Sequence, residues 1–389
     1  MQGYASETRS SALNQIGRHH GEHPVRRRQA TPVTRGWGRP SRLTALLGID
    51  VPLLTGAFGG MSSIELTATV SELGGLGAYG LYGYSPERIR ETAARLRDAT
   101  DRPFLLNVWV IDDATAAGSG SADAPPAVRR LYEETGVPLP PGPERLLPSF
   151  AEQVDALVEA APRVAGFVFG LPGADAVRRL HEVGTAVIGT ATTAREAVAL
   201  EADGVDAVIA SGAEAGGHKP SFLVPPEDAL IGTMALVPQV VDAVSVPVIA
   251  AGGIADGRGI AAALLLGAEG VQVGTAFLAT EQSAAPPAYR AALRSERATR
   301  TVLTRASSGR PARGIPNRLT ELLGADVAPF PFQNWLTGGI RAAAAKRDDA
   351  ELIALWCGQG APLITETDAT ALFTRLVEDT DRLLPRNPA

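Results

Sequence analysis

Ala207-Val208-Ile209-Ala210-Ser211-Gly212-Ala213-Glu214-Ala215-Gly216-Gly217-His218-Lys219 is an apolar run that ends in a polar turn with two adjacent glycines and a histidine. Two more apolar runs follow and close in the same way: Val248-Ile249-Ala250-Ala251-Gly252-Gly253-Ile254 and Gly270-Val271-Gln272-Val273-Gly274-Thr275. Short apolar run, glycine turn and helix-length segment repeat here as in the closing strands of a parallel barrel. In such barrels the last two turns commonly bind a phosphate through backbone N–H groups. This stretch places one histidine beside an anion-binding rim.

Outward from it, the same alternation runs through most of the chain. Strands are expected at 52–54, 76–79, 104–110, 166–169, 186–190, 207–210, 248–250 and 270–273. Helices are expected at 62–73, 86–99, 150–161, 175–183, 194–202, 233–244 and 257–266, with an eighth after Thr275. Ser62 or Ser63 caps the first of these, with Glu65 in its first turn. Eight strand–helix pairs point to an α/β fold of the (β/α)8 TIM-barrel type rather than an open doubly wound sheet. The barrel spans residues 41–285. Residues 112–149 form a long connection rich in Ala, Ser, Gly and Pro, with a short helix near 128–134. Residues 286–389 read as a helical appendage, with helices at 289–295, 317–323, 335–347, 351–355 and 368–384. Residues 1–40 read as a disordered tail. They hold His19, His20, His23 and the run Arg26-Arg27-Arg28, with no rigid scaffold to make a metal site of the histidines.

The bulk numbers exclude several classes. A net charge of −6 argues against nucleic acid as a partner. No apolar stretch approaches the ~18 residues of a membrane span. The chain has one cysteine, Cys357, so no disulfide framework exists, which fits a cytoplasmic protein. Cys357 itself reads as a small buried residue. Lysine occurs only at Lys219 and Lys346, which draws attention to Lys219 beside His218.

Barrel active sites lie at the C-terminal ends of the strands, and the residues that fall there are specific. Thr55-Gly56-Ala57-Phe58 follows the first strand and offers small residues under a flat ligand. Asn107 sits in the third strand, where its amide can both donate and accept. His218 can exchange a proton near neutral pH. Glu214 could orient its imidazole or pair with an arginine. Gly252, Gly253, Gly274 and Thr275 offer backbone N–H groups and a hydroxyl to a phosphate. His181 reads as a surface residue, and Trp356 as core.

With those residues placed, the chain resembles the nitronate monooxygenase family, formerly 2-nitropropane dioxygenases, related to the FMN-dependent enoyl-acyl-carrier-protein reductases. The resemblance runs from about Leu43 to Ile364. It rests on Gly59-Gly60-Met61-Ser62, Gly74-Gly75-Leu76-Gly77, Leu106-Asn107-Val108, Phe169-Gly170-Leu171-Pro172, Glu214-Ala215-Gly216-Gly217-His218 and the two later glycine turns. Ser308-Gly309-Arg310-Pro311-Ala312-Arg313-Gly314 and Trp356-Cys357-Gly358-Gln359-Gly360-Ala361 also match its monooxygenase branch.

The resemblance implies FMN, a small-molecule substrate and O2, with alkyl nitronates oxidised to a carbonyl compound and nitrite. It implies His218 as the catalytic residue. The cofactor-binding set is Gly56, Ala57, Phe58, Asn107, Ser211, Gly216, Gly217, Gly252, Gly253, Gln272, Val273, Gly274 and Thr275, with no metal ligand. Two positions depart from the family pattern. Thr55-Gly56-Ala57-Phe58 stands where the family has Gln-Ala-Pro-Met, and Ser211 where it has Gln. Two other readings stay open at this level: an NAD(P)H-dependent reductase of a quinone or enoyl thioester, and a non-catalytic flavin-binding accessory protein.

Overall fold

The computed structural model describes residues 41–118, 124–139, 141–142, 145–324 and 326–384. The tail and its histidines lie outside the described residues. Eight parallel strands form one sheet: β1 (Leu53–Thr55), β2 (Gly77–Gly80), β3 (Phe104–Trp109), β4 (Val164–Val168), β5 (Ala186–Ala191), β6 (Ala207–Ser211), β8 (Val248–Ala251) and β9 (Gly270–Val273). A two-residue strand, β7 (Gly217–His218), lies between β6 and β8 in sequence and belongs elsewhere. The sheet order is β1-β9-β8-β6-β5-β4-β3-β2. A parallel bridge between Leu54 and Leu76 joins its two ends, so the sheet closes into the expected (β/α)8 barrel.

Strand periodicity explains what each face carries. Leu54, Leu105, Ile188, Ile209 and Ile249 fill the barrel interior, in one apolar cluster with Leu43, Leu47 and Ile49. Those three come from and follow α1 (Arg42–Leu47), which is capped by Ser41 and closes one end of the interior. Leu106, Val108, Phe167, Val208 and Val271 belong to the other face and pack under the helices. Asn107, Ser211 and Gln272 each follow an inward residue by two positions or sit between outward ones, so they reach the barrel mouth.

The helical ring uses α2 (Ile64–Glu72), α3 (Pro86–Ala99), α6 (Phe150–Ala160), α7 (Ala174–Glu182), α8 (Ala194–Ala202), α9 (Thr233–Ala243) and α10 (Gly257–Leu265). Their starts are chemically marked. Ser63, Ser85, Thr193 and Asp256 each accept a backbone N–H of the first turn. Two excursions interrupt the ring. After β3 the chain forms α4 (Asp113–Ala117) and α5 (Pro126–Thr135), so the described part of the 112–149 connection is largely built. After β9 come α11 (Thr275–Leu278), α12 (Pro287–Leu293), α13 (Arg318–Leu323) and α14 (Phe332–Lys346).

Val128, Leu131 and Tyr132 of α5 share a second apolar core with Tyr289, Leu319, Leu336 and Ile340. Tyr132 donates to the Leu336 carbonyl at 2.5 Å. The last helix, α15 (Ala369–Leu383), is capped by Asp368 and packs on α10 and α2 in the ring.

The region after residue 285 is less helical than expected. Two strands, β10 (Val302–Thr304) and β11 (Ala312–Gly314), pair antiparallel with each other and with β7, in the order β10-β11-β7. Three-residue strands leave no period in a sequence. The helix expected at 351–355 is a single 3-10 turn at Ala350–Leu352. Beyond it Ile315 N–H donates to the Leu355 carbonyl at 2.8 Å and Gly314 bridges Trp356, which holds the segment extended.

One buried carboxylate ties the ring to the loop after His218. Glu196 is fully buried on α8 and accepts from Thr192 N and Oγ1, both at 2.7 Å, Phe222 N at 2.7 Å and Leu223 N at 3.1 Å. Its removal strands buried donors. Glu196→Ala should lower unfolding free energy by about 3 kcal/mol or more, with Glu196→Gln losing less, as read by urea denaturation.

Candidate active site

A cavity of about 500 Å³ opens at the C-terminal ends of the barrel strands. Every residue expected from the sequence lines it except Val273. Alternation turns Val273 outward into the layer under the helices, where it is fully buried. Its carbonyl instead accepts from Gly56 N–H at 3.0 Å, which fixes the loop after β1.

The floor is polar. Asn107 is only 7% exposed, and its side-chain amide has no hydrogen-bond partner among the described residues. Gly166 makes room for it, since a Cβ there would lie 2.9 Å from Asn107 Nδ2. Gln272 Nε2 donates to the Thr55 carbonyl at 3.1 Å, which leaves its oxygen as an acceptor. Ser211 and Thr190 complete this surface.

The glycine side is formed by two layers of backbone. Gly252 and Gly253 take φ of 110° and 71°, in the left-handed region that glycine occupies without strain. A Cβ on Gly274 would meet nothing closer than Phe58 at 4.0 Å, so a side chain there would enter the cavity. Thr275 Oγ1 accepts from Gly358 N–H at 2.9 Å and keeps its own hydrogen to donate. Gly216 serves a different need. Its missing Cβ would sit 2.6 Å from Gly358 N, so glycine lets the 356–360 segment settle on the β6 loop. At β1, a Cβ on Gly56 would lie 2.7 Å from the Phe58 ring. Two residues of the first departure are therefore coupled: Gly56 admits Phe58.

Around His218 the wall is aromatic. Its ring centroid lies 4.9 Å from Trp109, 5.2 Å from Trp356 and 6.2 Å from Phe169. Trp356, expected as core, lines the cavity. Phe169 has φ of 72°, unusual for a bulky residue, beside the site's histidine. Nε2 of His218 lies 2.8 Å from Ser308 Oγ. Burial, then the charges of Arg310, Arg341 and Lys219, push the imidazole down to about 3. The ring is neutral at physiological pH.

The neighbouring charges divide into two groups. Glu214 neither orients the imidazole nor pairs an arginine. It accepts from Thr233 N at 2.9 and 3.0 Å and from Thr233 Oγ1 at 2.9 Å, at the start of α9. Lys219 is buried and donates to the carbonyls of Ala213 at 3.0 Å and Ala215 at 2.5 Å, with Arg313 Nε also on Ala213 at 2.9 Å. Burial, then Arg313, pull its amine down to about 7. These groups build the loop. In the second group, Arg341 lines the cavity and Arg310 lies behind its aromatic wall. Arg341 is held by Thr337 Oγ1 at 3.0 Å and by Asn334 O and Oδ1 at 2.9 and 2.7 Å. Arg310 stacks on Phe169 and Phe330, 4.4 Å from each centroid. Neither has a carboxylate partner among the described residues, and no carboxylate lines the cavity.

Sequence reasoning missed several of these residues. Trp109 lies two positions after Asn107 on the same strand face, a signal available from period two. Ser308 and Arg310 stood in a quoted motif without a role. Tyr82, Phe330, Asn334 and Arg341 carry no local signal and meet only in three dimensions. Cys357 is buried, with its thiol pushed up to about 12, and takes no part. His181 pairs with Asp206 at 2.8 Å, away from the cavity. No group of residues suited to a metal occurs among the described residues.

The neutral histidine has a stability consequence. Its folded pKa lies below the unfolded value, so the unfolded chain takes up a proton that the folded protein refuses. The contribution is intact above about pH 6.5 and is lost as pH falls towards about 3. The stability difference between wild type and His218→Gln should shift against wild type over this range, by up to roughly 1.4 kcal/mol per pH unit, in denaturant titrations at stepped pH.

The comparisons with known proteins agree with this architecture. The family profile described as nitronate monooxygenase matches residues 40–379. A probable nitronate monooxygenase of Staphylococcus aureus strain MRSA252 is 38% identical over 356 residues, covering 90% of this chain and 99% of that one. Among solved structures, a nitroalkane oxidase from Streptomyces ansochromogenes aligns with TM-score 0.77 and 37% identity, over 88% of this chain and 99% of that one. FabK from Thermotoga maritima aligns with TM-score 0.69 and 31% identity, over 89% of this chain and 97% of its own. No helix among the described residues is long and apolar enough to cross a membrane. The chain belongs to the nitronate monooxygenase family and is an oxidoreductase enzyme.

Proposed function

We propose that the protein is an FMN-dependent monooxygenase that oxidises alkyl nitronates with O2 to a carbonyl compound and nitrite. The observation that carries this reading is the charge of the cavity. Arginines flank a neutral histidine and no carboxylate lines the space, so the site favours an anion such as a nitronate. Aromatic rings on three sides of His218 keep water from that anion.

The residues present fit FMN on two observations. The Asn107 amide opens on the cavity with no protein partner among the described residues, so its donor and acceptor are free for a ligand. Gly274 leaves open a volume that a Cβ would fill. Gly56, Ala57, Phe58, Asn107, Ser211 and Gln272 would hold the flavin ring. Gly216, Gly217, Gly252, Gly253, Gly274 and Thr275 would hold the phosphate end. FMN, when bound, supplies the redox chemistry that moves substrate electrons to oxygen. The protein's own residues position the substrate: Arg341 in the cavity wall and Arg310 behind it set a positive field, and His218 would take the proton when a neutral nitroalkane enters.

The first experiment mixes FMN-loaded protein anaerobically with a nitronate, and separately with NADH or NADPH, following flavin absorbance. Flavin reduction by the nitronate alone is expected. Bleaching by a nicotinamide, with no response to nitronate, would transfer the assignment to a reductase. His218→Ala should lose roughly a hundredfold or more of turnover of a neutral nitroalkane while retaining flavin. Asn107→Leu, close in shape, should weaken FMN binding on the order of tenfold without unfolding the barrel, as read by flavin fluorescence titration and circular dichroism.

A further inference from the structure

The partner of His218 comes from 90 residues away. His218 stands on β7 opposite Ala312 of β11. The chain enters β11 through Ser308-Gly309-Arg310, turning at Gly309, whose φ is 83°. That turn buries Ser308 to 1% exposure and sets its Oγ 2.8 Å from Nε2.

The same oxygen makes two other contacts. Arg310 N–H donates to it at 3.3 Å, and the Arg310 carbonyl lies 3.3 Å away as an acceptor. A hydroxyl has one hydrogen and two lone pairs. All three contacts are satisfied only if the Ser308 hydrogen goes to the Arg310 carbonyl and Oγ accepts from a protonated Nε2. The other ring nitrogen, Nδ1, has no protein partner among the described residues. It is not sealed off either, since Ser307 Oγ is the one closed, unpartnered buried side-chain polar atom among those residues. Nδ1 therefore opens on the cavity that His218 lines.

We propose that Ser308 is a positioning residue that holds His218 as the Nε2–H tautomer and presents the Nδ1 lone pair to the substrate. The proposal rests on the nitronate monooxygenase reading for what that substrate is. A lone pair accepts a proton but donates no hydrogen bond to a nitronate oxygen. Given a neutral nitroalkane, Nδ1 takes the proton from the carbon beside the nitro group. The C–H electron pair stays behind and gives the nitronate. The imidazolium and the nitronate then carry opposite charges, and Arg341, which lines the cavity, faces the anion.

The decisive measurement is the nitrogen spectrum of FMN-loaded protein labelled with 15N in its five histidines. The His218 signals are assigned by their loss in His218→Gln. Wild type is expected to show a protonated Nε2 and an unprotonated Nδ1. Ser308→Ala should give a mixture of tautomers, and Ser308→Thr, which keeps the hydroxyl, should restore the wild-type pattern.

In parallel, Ser308→Ala should lower kcat/KM roughly a hundredfold for a neutral nitroalkane and less than about threefold for its preformed nitronate. A protonated Nδ1 in wild type, or a tautomer unchanged by Ser308→Ala, overturns the proposal. Equal losses on both substrates would overturn the proton-acceptor role. If wild type turns over neither substrate, the nitronate reading falls, and the nitrogen spectrum still decides the part played by Ser308.

Discussion

The site depends on a pairing only two residues long, Gly217–His218 against Ala312–Arg313. It fixes the histidine on a strand rather than a free loop. It also carries Ser308 and Arg310 to the imidazole, because both lie in the turn that feeds β11. The bridge from Gly314 to Trp356 extends the same ladder. Through it the 356–360 segment reaches the β6 loop, where Gln359 N–H donates to the Glu214 carbonyl at 2.9 Å. Glycine at 216 is the condition for that contact, since any side chain would strike the Gly358 backbone. The barrel supplies the floor, and segments after it supply the walls.

Burial then decides the electrostatics. A charged group removed from water needs a partner or gives up its charge. Lys219 is met by two carbonyls and Glu214 by the start of α9, so both are consumed in building the loop. His218 has no anion near it and stays neutral. Arg341 is held in place by Asn334 and Thr337 without a counter-charge, which leaves its charge for a ligand. In the proposed reaction that ligand is the substrate anion. The division of labour among these charges follows from who faces the cavity, not from their order in the chain.

The family departure at the end of β1 becomes intelligible as local packing. The Phe58 ring lies where a Cβ on residue 56 would be, so the larger residue at 58 goes with the smallest at 56. Phe58 also touches both apolar cores, the one under the ring helices and the one beyond the barrel. Ser211 keeps an inward place at the mouth with a shorter side chain than the family's amide, and nothing in the structure compensates for it.

Much was legible along the chain because its causes are local. Apolar runs ending in glycine turns, capping residues before helices and inward-facing Asn107, Ser211 and Gln272 all follow from backbone periodicity and short-range chemistry. They suffice for a barrel, its mouth and His218 on its rim. The same periodicity, applied one step further, turns Val273 outward.

What lay beyond reach depends on contacts between distant segments. Trp356 reads as core until β11 carries it to the cavity. Glu214 reads as a partner for His218 or for an arginine until the start of α9 claims it. Ser308 becomes the partner instead, through two short strands whose pairing energy comes from each other and leaves no mark on either alone. Composition and pattern specify which elements form; only the closing of long loops specifies which side chains meet, because those contacts exist in the packed chain and nowhere in its local order.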